Sequence, residues 1–210
     1  MGYKAILIDI KTYLSIKLKN PKRFKDSKVD SFVSKNVTIG RFVTIKKNVL
    51  ITESLKSIGT GSYIGDYSSL FNCESVGNYC SISHGVKIGL ENHLLNGIST
   101  SPLLYNKPKY NKPTVIENDV LISADVLIMS GLRIGTGSII GAGSFVNKDV
   151  PPYSIVVGQP AKVIKYRYSE EVILELLNSK WWEKDVNILK NMNLENIDPI
   201  SFINLIKDIE

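Results

Sequence analysis

Residues 116–148 read IENDVLISADVLIMSGLRIGTGSIIGAGSFVNK, with an apolar residue at every sixth position: Ile116, Ile122, Ile128, Ile134, Ile140 and Val146. Six residues are too few for a strand plus a helix. They fit one short strand and one turn. Outward from this stretch the same period runs backwards through Ile88, Ile82, Val76, Leu70, Ile64 and Ile58. One extra residue shifts the phase, and Ile51, Ile45, Ile39 and Val33 continue it. Gly follows the apolar residue at 40, 59, 65, 77, 89, 135 and 141, and the fourth position after it is small or β-branched, as at Val43, Ser62, Cys80 and Ser138. The apolar residue points inward, the small residue fits a tight corner, and Gly reaches backbone angles that other residues avoid. One unit cannot bury its own apolar side chain, but stacked coils bury a continuous column. Simple β alternation explains an even spacing. It does not explain Gly at one phase seven times. The pattern predicts a mostly β protein built as a parallel β-helix rather than a sandwich or barrel.

The period breaks once, over an excursion loop at 89–115, and the loop carries Asn92-His93. The chain has two histidines. His84 lies in a regular coil and reads as a surface or corner residue. His93, with an unperturbed pKa of about 6.5, is a candidate general base, although a histidine in a loop is also often simply solvated. Glu91 is near enough in sequence to orient it, and Asn92 is alternatively a residue that shapes the turn.

The chain has 210 residues, 43% hydrophobic and 22% charged, which allows one large core and a small appendage. No apolar run approaches the roughly 20 residues of a membrane span. The start resembles no signal peptide, and Ile6 occupies the position where a myristoylation signal needs Ser or Thr. The expected location is the cytoplasm. The net charge of +6 fits nucleic acid, an anionic membrane or a phosphate-bearing ligand, and no nucleic-acid motif is present. Cys73 and Cys80 read as buried small hydrophobes, and no metal site is expected. Residues 1–32 read as a cap with a short N-terminal helix ending at Asn20-Pro21. Its bland role is to cover an open end of the core; a membrane-surface helix is the less favoured alternative. The β-helix is expected over 33–167, with Pro151-Pro152 ending the strand pattern and a turn at Gly158–Ala161. A helical appendage follows over 168–210. It begins with a helix over 169–180 capped by Ser169, then Trp181-Trp182 as a packing anchor and an amphipathic stretch at 200–209 of no evident purpose.

Four segments carry a family resemblance: YCSISHGVKIG at 79–89, NHLLNGISTSPLL at 92–104, residues 118–165, and YSEEVILELLNSKWWEKD at 168–185. Together they resemble the hexapeptide-repeat acyltransferases, in the branch of xenobiotic and surface-polysaccharide O-acetyltransferases. The resemblance implies a left-handed β-helix of triangular section, a homotrimer with sites between subunits, and acetyl-CoA as co-substrate. It implies His93 as catalytic base. Ala124 and Ala142, with Gly143 beside the second, would offer backbone amides to the pantetheine arm. Lys148, Lys162 and Lys165 would face the nucleotide phosphates, and Asn92 and Tyr105 would meet the acceptor. Acyl transfer to a hydroxyl needs such parts: a base for the hydroxyl proton, donors for the oxyanion, and a fixed thioester. Leu121, Ser123 and Ser130 depart from the family's usual aromatic, Gly and Pro beside the pantetheine path. The loop is shorter than in drug-modifying members, and its remainder, SPLLYNKPKYNKP at 101–113, suits a carbohydrate. The expected activity is O-acetylation of a sugar of a surface polysaccharide or its precursor. N-acetylation of an amino sugar, O-acetylation of an antibiotic, and a non-catalytic β-helix scaffold are the alternatives.

Overall fold

The computed structural model describes residues 24, 26–91, 97–101, 103–104 and 112–209. The expected N-terminal helix, ending at Asn20-Pro21, therefore lies outside the described residues. Outside the excursion loop, the described residues from Lys28 to Tyr166 wind as a β-solenoid whose coils contribute short strands to three sheets, one of eight strands and two of five, parallel except for the last strand of the largest. Each strand pairs with its counterpart one coil away: Ile64 opposite Ile82, Ile88 opposite Ile128, Ile116 opposite Ile134. The predicted inward column is the core. Ile45, Ile64, Leu70, Ile82, Ile88, Ile122, Ile128, Ile134 and Ile140 have no measurable exposure. Ile39 and Ile51, near the first coils, are only partly buried against it.

The solenoid runs further than the sequence pattern indicates. Val150 bridges Ile134 and Val156 pairs with Ile140, and both valines are buried. The last coil is two residues shorter than the one before, so the period is reset rather than ended. Pro151 and Pro152 occupy the corner, where no ladder N–H is required. Strand Ser154–Gly158 then turns back antiparallel onto strand Ala161–Tyr166, which closes the edge of the eight-stranded sheet.

Each coil turns three corners. At one, Tyr79 lies over Gly61 and Tyr153 over Gly137; a Cβ on Gly137 would sit 2.5 Å from the Tyr153 ring. These two tyrosines seat the appendage. Helix α1 (Glu170–Ser179) is capped by Ser169, whose hydroxyl accepts from the Val172 N–H, and ends at Lys180 in the left-handed region. The 3-10 turn Trp181–Glu183 follows, with Trp181 stacked on Tyr79 at 5.6 Å. Helices α2 (Val186–Lys190) and α3 (Pro199–Lys207) complete it. Phe202, Ile203 and Ile206 of α3 are buried with Tyr153, Leu176 and Leu189, so the C-terminal amphipathic stretch is a packing element. Arg167 ties the appendage down by donating to Asp119 and to the Gly137 carbonyl. This is the helix corner. The other two are the loop corner, where the excursion leaves, and the alanine corner, where Ala124 and Ala142 lie. No described helix is long and apolar enough to cross a membrane.

Candidate active site

The alanine corner joins the eight-stranded sheet to the sheet containing strand Lys87–Leu90. Its rungs stack as Lys47, Asp66, His84, Ala124 and Ala142. The next residue on each rung donates to the carbonyl one coil back: Gly85 N–H to Asp66 O at 2.9 Å, Asp125 to His84 at 3.1 Å, Gly143 to Ala124 at 2.9 Å. Coils so paired stand about 4.8 Å apart.

What sets this corner apart is its other N–H groups. In the helix corner two of the corresponding amides are capped by side chains of the next coil and a third, Thr136 N–H, by Glu117 Oε2 at 2.9 Å, whereas the N–H groups of Arg41 and Asn118 have no partner among the described residues. Thr60 N–H donates to Asn78 Oδ1 at 2.7 Å, and Asn78 N–H to Asn118 Oδ1 at 2.9 Å. The alanine corner begins the same way, with Lys47 N–H donating to Asp66 Oδ1 at 3.1 Å. From there on the capping stops. The N–H groups of Asp66, His84, Ala124 and Ala142 have no partner among the described residues. Ala cannot cap, so the predicted pair Ala124 and Ala142 leaves an open vertical row of donors. Beside it Gly143, at φ +66°, has nothing within 4 Å of where a Cβ would stand. Gln159, which the sequence reading missed, donates from Nε2 to the Gly143 carbonyl at 2.5 Å.

The lysines divide. Lys162 and Lys165 are three residues apart on one strand, and simple alternation would put them on opposite faces. A bulge intervenes: Lys165 pairs with Ile155, Val163 with Val156 and Lys162 with Val157. Val156 is the buried partner, so both lysines fall on the outer face with Ile155 and Val157. Lys162 lies on the alanine-corner side, because Val157 packs against Gly141. Lys148 stands elsewhere, exposed at the loop corner beyond strand Phe145–Val146.

His93, Asn92 and Tyr105 lie outside the described residues. The stem of their loop is described. Strand Lys87–Leu90 leads out, and Thr114–Ile116 leads back, with Thr114 N–H donating to the Asn72 carbonyl at 2.8 Å. Gly89, at φ +79°, passes so close to Asn72 that a Cβ would lie 2.4 Å from its carbonyl oxygen. A cavity of about 770 Å³ opens beside the stem, lined by Glu53, Ser54, Phe71, Asn72, Leu90 and Glu91 among others. Its wall is made by the extra residue between Ile51 and Ile58, where the hydroxyls of Thr52 and Ser54 both meet the Phe71 carbonyl. The slip in phase is visible in the spacing of Ile51 and Ile58, but its use is not.

Of the three departures, Leu121 is exposed on the outer sheet face, Ser123 donates its N–H to Ile140, and Ser130 is buried with its hydroxyl unpartnered among the described residues. The thiols of Cys73 and Cys80 are buried, and desolvation pushes both up to about 12. No cluster of metal ligands occurs among the described residues.

The family model for the bacterial transferase hexapeptide (six repeats) matches residues 113–148. A chloramphenicol acetyltransferase of Escherichia coli is 34% identical over 178 residues, which span 69% of this chain and 85% of that one. The chain belongs to the hexapeptide-repeat acyltransferases. This hexapeptide-repeat protein is therefore an acyltransferase enzyme. Among solved structures, it is similar to a variant of AntD, an N-acyltransferase from Bacillus cereus, in complex with dTDP and coenzyme A. That match has 25% identity and a TM-score of 0.60, over 80% of this chain and 87% of that one. It is also similar to a maltose O-acetyltransferase from Clostridium difficile 630, with 25% identity and a TM-score of 0.51, over 62% and 69%.

Proposed function

We propose that this acyltransferase moves an acetyl group from acetyl-CoA to a hydroxyl of a sugar in a surface polysaccharide or its precursor. The observation that carries the donor half is the open row of N–H groups at Ala124 and Ala142, with Lys162 and Lys165 beyond its C-terminal end. A pantetheine arm bears amide carbonyls, and uncapped amides one coil apart match carbonyls along an extended chain. The lysines supply charge for phosphates. Lys148 completes that set only from another subunit.

The two halves of the site occupy different corners. The loop stem and Lys148 belong to the loop corner; the amide row and Lys162 belong to the alanine corner. Strand Lys87–Leu90 separates the two corners within a coil. A homotrimer with its solenoid axes along the three-fold sets the loop corner of one chain against the alanine corner of the next. An apolar stripe supports that contact: Tyr63, Leu121, Ile139 and Ile155 follow one another, with Ser81 among them, on the outer face of the eight-stranded sheet. In this assembly His93 takes the proton of the acceptor hydroxyl as that oxygen attacks the thioester carbon. It returns the proton to the departing sulfur. Asn92 and Tyr105 line the acceptor side. Two unpaired, buried thiols suit the reducing cytoplasm.

A second reading is acylation of an amine. Glu53 and Glu91 at the stem cavity would favour a cationic acceptor, and the AntD relative is an N-acyltransferase. An antibiotic hydroxyl is a third acceptor, by similarity to the chloramphenicol enzyme. Thiol release from acetyl-CoA, measured with a panel of sugars, amino sugars and chloramphenicol, separates them. The proposal expects a sugar hydroxyl to be used and His93→Ala to lose about 100-fold or more in turnover. A His93→Ala enzyme as fast as wild type removes the base from this mechanism.

A further inference from the structure

We infer that His84 donates a hydrogen bond from its imidazole to the thioester oxygen of the acyl donor as that oxygen becomes the oxyanion. The inference rests on the acetyl-CoA reading above and adds a residue to it. His84 is the third member of the open amide row, two rungs from Ala142 and so about 10 Å along it. Lys162 and Lys165 border the last coil, so a donor whose phosphates meet them runs from Ala142 past Ala124 towards His84. Ala142 and Ala124 have no side chain beyond Cβ and leave the backbone open. Asp125, beside Ala124, sets its carboxylate against Gly85, but a carboxylate only accepts; His84 carries the first side chain on this path that can donate, and it is exposed.

Height along the solenoid gives an independent reason. His84 and Glu91 belong to the same coil, His84 at its alanine corner and Glu91 at its loop corner. A three-fold parallel to the solenoid axis keeps every coil at one height. His84 of one chain therefore faces the neighbour at the level where that neighbour's loop begins, and only there do donor and loop meet. The neighbouring corner amides are already engaged: Gly85 N–H donates to Asp66, Asp125 N–H to His84 O, and Val86 N–H to the Ser68 hydroxyl at 3.3 Å. The His84 side chain and its own N–H are the donors left at this rung. The Ser83 hydroxyl lies 3.5 Å from His84 Nδ1, which leaves Nε2 to face the groove. In the step, attack by the acceptor oxygen places an electron pair on the carbonyl oxygen, where the Nε2–H holds it. His93 receives the acceptor's proton. Collapse then breaks the C–S bond, and the thiolate takes the proton from His93.

The test compares wild type, His84→Ala and His84→Gln in the full chain, using acetyl-CoA and the acceptor that the wild type turns over best. Coenzyme A affinity is measured by calorimetry in parallel. Loss of an oxyanion donor should lower kcat about 100-fold or more in His84→Ala. The Kd for coenzyme A should stay within about two-fold, because coenzyme A lacks the acyl oxygen. His84→Gln, which keeps an N–H donor, should regain part of the rate. A wild-type kcat in His84→Ala overturns the inference, as does a parallel loss of coenzyme A affinity that accounts for the whole effect. A wild type that neither binds coenzyme A nor releases thiol fails at the acetyl-CoA reading itself, and this inference falls with it.

Discussion

The alanine corner can be converted into a copy of the helix corner by one substitution. In the helix corner, Asn78 and Asn118 each cap the amide one coil back. Ala142 occupies the equivalent place above Ala124 and is exposed, so Ala142→Asn places a carbonyl oxygen where it can accept from the Ala124 N–H. Fold stability should hold or rise by about 0.5–1.5 kcal/mol, the net worth of one hydrogen bond. Ligand affinity should move the other way. A pantetheine carbonyl that loses its donor forfeits about 1–3 kcal/mol, which is roughly a 5- to 150-fold weaker Kd. Calorimetric titration with coenzyme A and thermal unfolding of the same sample read the two effects. Asn118→Ala is the control: it uncaps Asn78 in the helix corner, should cost about 1 kcal/mol of stability, and should leave coenzyme A affinity alone. If Ala142→Asn melts at or above the wild-type temperature and still binds coenzyme A equally well, the open amides are not the ligand's path.

Three further outcomes follow from the same geometry. If sites are shared between chains, refolding His84→Ala together with His93→Ala should restore activity to about a quarter of the sites, since an intact His84 then meets an intact His93 only across a subunit boundary; no recovery would place both residues in one chain's site or neither in it. Gly137→Ala puts a Cβ 2.5 Å from Tyr153 at φ +71°, whereas Gly143→Ala meets open space at φ +66°. Both carry about 1–2 kcal/mol of backbone cost, so Gly137→Ala should melt clearly lower, and equal melting temperatures would contradict the seating of Tyr153. Burial pushes the Tyr153 hydroxyl up to about 12 from its ordinary 10. The unfolded chain releases that proton first, so the contribution is complete below pH 10 and is lost as pH rises to about 12, an effect of about 2–3 kcal/mol. Tyr153→Phe should flatten the alkaline fall in unfolding free energy between those values, and an unchanged slope would show that another group causes it.

The fold was legible because a six-residue period leaves few ways to bury one side chain per unit. Ile82, Ile88 and Ile122 could be assigned to one column from their spacing alone, and the column is where they lie. The last coil was not legible. It drops two residues after Val146 and then places Pro151-Pro152, a pair that usually stops a strand, at a corner that needs no donor. The pairing of Lys162 with Lys165 was hidden for a related reason: their spacing of three contradicts alternation, and only the bulge brings them to one face. The seat of the appendage was hidden because Tyr79 and Tyr153 pack on glycines one coil away, at Gly61 and Gly137, a contact with no local trace in sequence.

The amide row is the more instructive case, since it was present in the sequence as something missing. Ala at 124 and 142 reads as an unremarkable small residue in a tight repeat. Its meaning appears only against the other corner, where the equivalent rungs hold Asn78 and Asn118 and use them to cap. A solenoid exposes the same backbone groups at every coil, so each corner must cap them, hydrate them or offer them to a ligand. Here the helix corner caps Thr60, Asn78 and Thr136 and leaves only isolated rungs open, while the alanine corner stops capping after Asp66 and stays open over four consecutive rungs to Ala142. The change occurs at Asp66, one coil before the coil that carries His84 and emits the loop. The coil that breaks the repeat at one corner thus continues the open row at another, which is the arrangement expected if a ligand held along one corner must reach a base supplied from the next chain's loop.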